Sequence, residues 1–271
     1  MGLHVGQLVR TAFLPGLIIR MRKVIYTCLT GTYDSLLQPL SISEEFDYIC
    51  FSDSLPAGQD GVWQIRPIPF PSKDKVLLSR FPKMQPHLVL PEYEYSVYMD
   101  ANIEILSSSF YDSLNARIKA GDLISQVPHT YRKCVYQELY ACWHHNMISL
   151  WSNVLLRRNL HRMGMPEDFG LMENNLILRN HNSPFVQEIS NLWWKAFKSG
   201  LAKRDQLYLM PVYWQKHFMP SLIFGENRNV RNVDCLEWHP HKTARNDRQP
   251  KSAIEMYLMR LSNGAERRGW I

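Results

Sequence analysis

The sequence has no uninterrupted apolar run long enough to cross a bilayer, no Cys-x-x-Cys pair, no Gly-x-Gly-x-x-Gly turn, no internal repeat and no low-complexity tract. Without the glycine fingerprint, the ordinary dinucleotide-binding turn is excluded. The five cysteines (Cys28, Cys50, Cys134, Cys142, Cys235) are odd in number and lack metal or redox spacing. They read as reduced thiols of a cytosolic protein rather than as a disulfide framework. The most apolar stretch, MGLHVGQLVRTAFLPGLIIRMRK, is broken by Arg10 and Pro15. It is too short and interrupted to span a membrane, and no small-residue cleavage site precedes the strand that begins near Lys23. Residues 1–22 therefore read as an extension, either a peripheral anchor on the inner face of the membrane or an over-long start.

What is present is an ordinary globular composition. At 271 residues, with 45% hydrophobic and 12% aromatic content, the chain can bury one large core. Lys and Arg number 31 against 25 Asp and Glu, a net +6. The positive residues are scattered rather than blocked and match no nucleic-acid-binding motif, so nucleic acid is not the expected partner. An anionic small substrate or a membrane surface suits the excess equally well.

β-rich runs alternate with helical patterns. KVIYTCLTG (23–31), FDYICFSD (46–53) and GVWQIRPIPF (61–70) read as strands, with a loop and short helix over TYDSLLQPL between the first two. SKDKVLLSRFPKMQPHLVLP reads as a helix capped by Ser72 and kinked or ended at Pro82. Strands over 94–99 and 103–106, a helix over SFYDSLNARIKAG and a strand over DLISQVPH follow. A long helical region near 131–163 falls into two pieces, and 169–182 is a strand or hairpin. A helix then opens on Pro184, and another over RDQLYLMPVYWQKH breaks near Pro211. This order predicts an α/β domain with a mostly parallel central sheet and a more helical C-terminal half. Its bounds are 23–245, with a nucleotide half over 23–106 and an acceptor half over 107–245, and a basic polar tail over 246–271.

The stretch EYSVYMDANIEIL (94–106) interrupts buried β-runs with Asp100 and Asn102. An uncompensated carboxylate there is costly. In extended geometry the two side chains share a face, and at the C-terminal edge of a central parallel strand they suit a hard divalent cation bridging to phosphate oxygens. The alternative is a β-turn, where Asp and Asn are favoured.

An ordered set of short pieces runs from Lys23 to His241: YTCLTGTYD (26–34), DYICFSD (47–53), LLSRFPKMQPH (77–87), SVYMDANIEI (96–105), CVYQE (134–138), GLMENNLILRNHN (170–182), RDQ (204–206) and EWHPH (237–241). Through them the chain resembles the nucleotide-sugar transferases of GT-A type. More narrowly, it resembles the glycosyltransferase-like family formerly classed as a domain of unknown function, which includes plant proteins of mucilage and xylan synthesis. The resemblance implies a GT-A-like (Rossmann-like) domain. It further implies metal-dependent transfer of a sugar from a nucleotide-diphosphate sugar to a glycan or lipid-linked acceptor, in surface polysaccharide or lipopolysaccharide synthesis.

It also implies sites. The first strand and its loop would cradle base and ribose through Thr30, Gly31, Tyr33 and Asp34, or form an ordinary βα turn. Asp53 either accepts from the nucleoside or caps its loop. Arg80 and Lys83, at i and i+3 on one helix face, suit a diphosphate. Asp100, Asn102 and a late histidine, His239 ahead of His241, would hold Mn²⁺ or Mg²⁺. Asp205 and Glu173 compete as the carboxylate acting on the acceptor; Asp205 is otherwise a helix N-cap. His144 and His145 are helix neighbours pointing roughly 100° apart and cannot chelate together. Trp193 and Trp194 read as packing. A hydrolase on the same scaffold, or a non-catalytic nucleotide- or glycan-binding protein, remains the alternative to a transferase.

Overall fold

The run Lys23–Leu29 forms strand β1, in which Val24, Ile25 and Tyr26 are all fully buried. Such continuous burial belongs to a strand covered on both faces. In the computed structural model, which describes residues 21–32, 34–242 and 251–267, β1 indeed lies in mid-sheet. It pairs in parallel with β2 (Phe46–Ser52) on one side and β5 (Tyr95–Met99) on the other. Outward from β2 come β4 (Trp63–Pro67), parallel, and β3 (Gly58–Asp60), its antiparallel hairpin partner. Beyond β5 lie β8 (Met172–Arg179), β7 (Ile124–Pro128) and β9 (Ser221–Leu222). β8 runs against both of its neighbours, while β9 follows β7. Within this eight-stranded sheet only β3 and β8 oppose the common direction, so the fold is α/β with a mostly parallel centre.

Alternate residues of the central strands supply two cores. Val24, Tyr26, Ile49, Phe51 and Tyr98 face a helical layer. It comprises α1 (Lys75–Met84), α2 (Pro86–Val89), α4 (Val135–His144), α5 (Leu150–Arg162), α6 (Pro184–Ser199) and α7 (Gln206–Gln215). Ile25, Cys50, Val97 and Met99 face α3 (Ser109–Lys119) and the chain from Ile223 to Leu236. There β6 (Ile103–Ile105) pairs antiparallel with β10 (Leu236–Trp238) in a separate two-stranded sheet.

The structure departs from the sequence reading in four places. No helix forms over the described residues of TYDSLLQPL; Leu37 accepts from the Trp63 indole, Gln38 bonds Val62 and Asp60, and Leu40 bonds Ile105. These long-range bonds outbid a local turn of helix. Helix α1 is capped by Asp74, not Ser72: its carboxylate accepts from the amides of Val76 (2.9 Å) and Leu77 (3.2 Å). Neither Pro82 nor Pro211 ends its helix, since both helices are held by buried packing that offsets the local cost of about 3 kcal/mol. Within the polar tail, Ala253–Arg267 forms α8, which packs on α5 and buries Met259. Among the described residues no helix is long and apolar enough to cross a membrane.

Candidate active site

The parallel strands β1, β2 and β5 end at the same edge of the sheet, where open α/β folds gather ligands. After β1 the chain turns at Gly31, whose φ of 61° lies in the left-handed region that glycine adopts freely. Its amide donates to Asp53 Oδ1 (2.9 Å) and its carbonyl accepts from Ser54 Oγ (2.9 Å). Asp53, just past β2, is also paired with Lys75 on α1. Partial burial pushes its carboxyl up, but Lys75 and the Gly31 amide outweigh this and hold it below the usual range. Asp53 thus fixes the loop of half-buried Thr30 and exposed Gly31. Asp34 further along accepts from His241 Nδ1 (2.9 Å), bringing the late histidine to the first loop. Tyr33 lies outside the described residues.

Asp100 follows β5 at the centre of this edge. Its amide donates to Asn175 on β8 (2.9 Å), and its carbonyl accepts from Ile103 (3.1 Å), so residues 100–103 close a β-turn. The turn overturns the extended geometry expected of Asp-Ala-Asn. Asn102 is buried and its amide donates to the His239 carbonyl (2.6 Å). Asp100 Oδ1 accepts from Tyr98 Oη (2.8 Å) and lies 3.6 Å from Lys83 Nζ. Burial, then the Asp100 charge, push the Tyr98 phenol well above its ordinary value, so it donates as a neutral hydroxyl.

Behind Asp100 stands a buried cluster. Lys83 and Arg80 come together as their spacing on α1 predicts, and both meet Asp205: Nζ–Oδ2 is 2.7 Å and Nε–Oδ1 is 3.5 Å. Burial alone would raise the Asp205 carboxyl, but Lys83, Arg80 and Arg204 hold it far below the usual range. A carboxylate so held is a poor proton acceptor, which weighs against a base and leaves the other expected role of Asp205, a carboxylate acting on the acceptor, untouched. It occupies the N-cap position of α7 yet bonds no helix amide; its charge is spent on the cations. Arg204 continues the network to Glu138 (3.7 Å), which Arg132 also pairs (2.8 Å).

Glu173, at the start of β8, is the other expected carboxylate. Burial pushes it up, while Arg231 at 2.8 and 2.9 Å and Thr130 pull it below the usual range. Asn175 Nδ2 bonds it as well, linking it through the Asn175 backbone to Asp100. It too is engaged rather than free. The His239 imidazole faces Glu104 (Nε2–Oε2, 2.8 Å) instead of joining Asp100, because only its backbone meets Asn102. The His144 and His145 rings lie nearly perpendicular (87°). Trp193 is buried and Trp194 packs on Phe70 and Phe81.

Arg204, Glu138, Arg231 and Tyr98 complete these networks without having been singled out as site residues. Arg204 and Glu138 sit inside pieces already noted, RDQ and CVYQE. Arg231 lies in NRNVRNVD, where nothing marks it.

The donor set at Asp100 suits a cation that arrives with its substrate. Asp100, whose side chain is 33% exposed, and the buried Asn102 would supply the protein oxygens. The His/Cys/Asp/Glu group with closely spaced ligand atoms among the described residues is Glu104, Glu237 and His239, which excludes Asp100. Mg²⁺ and Mn²⁺ are commonly held by one or two protein oxygens, the rest coming from phosphate and water.

No protein-family model matches the sequence, and no curated protein is similar to it. Among solved structures, the chain is similar to apo WbbM, a bifunctional glycosyltransferase, at 8% identity and a TM-score of 0.44. That match covers 74% of this chain and 39% of WbbM, so the chain spans well under half of that protein. Apo mouse xyloside xylosyltransferase 1 is similar at 11% identity and a TM-score of 0.41, over 72% of this chain and 81% of that one. Both neighbours are glycosyltransferases.

Proposed function

We propose that this protein transfers a sugar from a nucleotide-diphosphate sugar to a hydroxyl of a glycan or lipid-linked acceptor. The observation that carries the reading is the Lys83 ammonium 3.6 Å from Asp100, at the end of a central parallel strand and backed by Arg80. A diphosphate entering there meets fixed positive charge in a largely dry setting, where charge developing on the leaving group is stabilised most strongly.

In this reading the Thr30–Gly31 loop, pinned by Asp53, receives the nucleoside, with Asp34 and His241 closing its rim. Mn²⁺ or Mg²⁺, carried in with the donor, would rest on Asp100 and Asn102 and supply further charge neutralisation at the leaving diphosphate. Asp205 positions Lys83 and Arg80 rather than moving a proton. Glu173 holds Arg231 at the start of β8, across β5 from the strand that carries the nucleoside loop, and in this reading the acceptor would approach Asp100 from there.

The test is a thermal-shift panel of nucleotides and nucleotide sugars, with and without Mn²⁺. One nucleoside diphosphate or its sugar should raise the midpoint of wild type and not of Asp100→Ala. At 100 times its Kd such a ligand adds about 2.7 kcal/mol of apparent stability. Silence across the panel rejects the proposal.

A further inference from the structure

Strands β6 and β10 place Glu104 directly opposite Glu237, in register, on the face that turns away from buried Ile103, Ile105 and Leu236. Like charges directly opposed across an antiparallel ladder destabilise it. In a chain of net charge +6, arginine or lysine would be the easy remedy. Among the described residues none forms an ion pair with either carboxylate; Arg231 nearby is spent on Glu173 and on the Trp238 ring. The group that does approach is an imidazole. His239 Nε2 lies 2.8 Å from Glu104, and the ligand atoms of Glu104, Glu237 and His239 all fall within 4.8 Å of one another. One imidazole can offset at most one of the two carboxylates.

We propose that Glu104, Glu237 and His239 form a binding site for a divalent transition ion, distinct from the Asp100 corner. Two carboxylates and one ring nitrogen suit Zn²⁺ and its neighbours in the first transition row better than Mg²⁺ or Ca²⁺, which prefer oxygen alone. Three protein ligands leave a position for water. The ion closes β10 onto β6 and steadies the next residue pair, where the His239 amide donates to the Asn102 carbonyl (2.8 Å) and Asn102 Nδ2 to the His239 carbonyl (2.6 Å). It therefore fixes the turn that carries Asp100 without touching the donor.

The site is tested with the full chain, stripped by chelator and titrated calorimetrically with Zn²⁺ alone, no nucleotide being present. One equivalent should bind to wild type and to Asp100→Ala alike. Glu237→Gln, a near-isosteric change at an exposed position, should weaken binding by about tenfold or more, the loss that even an outer ligand partner brings. His239→Gln should do the same. No saturable binding to wild type, affinity unchanged in both variants, or loss confined to Asp100→Ala each overturns the proposal. Because no nucleotide enters the experiment, its outcome is independent of the proposed sugar transfer.

Discussion

Lys83 Nζ sits 2.7 Å from Asp205 Oδ2, with their side chains only 4% and 7% exposed. Desolvating two ions costs several kcal/mol each, and the mutual attraction repays this only while both partners are present. The pair also couples two distant parts of the chain, since Lys83 ends α1 and Asp205 opens α7. Its reward is position: Lys83 is held where it also meets Asp100.

Breaking that pair from either side should be costly. Lys83→Met and Asp205→Leu are each expected to lose about 3–5 kcal/mol, as removal of one member of a buried pair does. The double variant should lose clearly less than the sum, because it leaves no stranded charge between those two positions. Urea denaturation of the four proteins gives the coupling directly. Strict additivity would show that the two groups do not share their desolvation.

Acidification probes the same carboxylate. The folded Asp205 group is held far below the unfolded value of about 3.9, so its contribution is complete above that value and is lost as pH falls beneath it. Protons then bind the unfolded chain before the native one. Glu173, also lowered, acts with the same sign. Urea midpoints measured from pH 6 to pH 2.5 should fall more steeply below about pH 4 in wild type than in Asp205→Asn. Parallel curves would remove Asp205 from the acid transition.

The central strands were legible in the sequence because burial on both faces leaves unbroken β-rich runs, as in KVIYTCL and YSVYM. Arg80 and Lys83 were legible as a pair because helical spacing fixes their common face. Their partner was not, since Asp205 lies more than a hundred residues away and only the packing of α7 brings it near. The same blindness to long-range contact hid Arg231 beside Glu173 and sent the His239 ring to Glu104. Asp-Ala-Asn was ambiguous for a local reason: two residues cannot declare whether they extend or turn, and the Asp100–Ile103 bond decides it.

The cap of α1 falls to Asp74 rather than to Ser72, the residue expected from the sequence. Asp74 accepts from two helix amides, whereas Ser72 Oγ accepts from the Asp74 amide outside the helix (3.1 Å). Asp74→Ala should therefore cost about 1 kcal/mol, the usual loss of a side-chain N-cap. Ser72→Ala should cost less. Paired equilibrium denaturation of the two variants decides the assignment, and an equal or reversed order would contradict it.

Gly200 closes α6 with φ −74°, a conformation any residue adopts, so its lack of a side chain serves space rather than backbone freedom. A Cβ there would stand 2.2 Å from Tyr208 Oη, 2.4 Å from Tyr208 Cζ and 2.6 Å from the Ala196 carbonyl oxygen. The Tyr208 hydroxyl is itself committed: it accepts from the Ala202 amide (2.9 Å) and donates to the Ala202 carbonyl (3.0 Å), clamping the loop that delivers Arg204 and Asp205. Gly200→Ala should destabilise the protein by about 1–3 kcal/mol through overpacking. Tyr208→Phe cannot relieve it, because Cζ remains in the way. Tyr208→Leu takes away both the hydroxyl oxygen and Cζ, so the cost of Gly200→Ala should fall in that background to the share owed to Ala196. Denaturation of the four combinations measures the difference, and an unchanged cost would mean that Tyr208 does not press on Gly200 in solution.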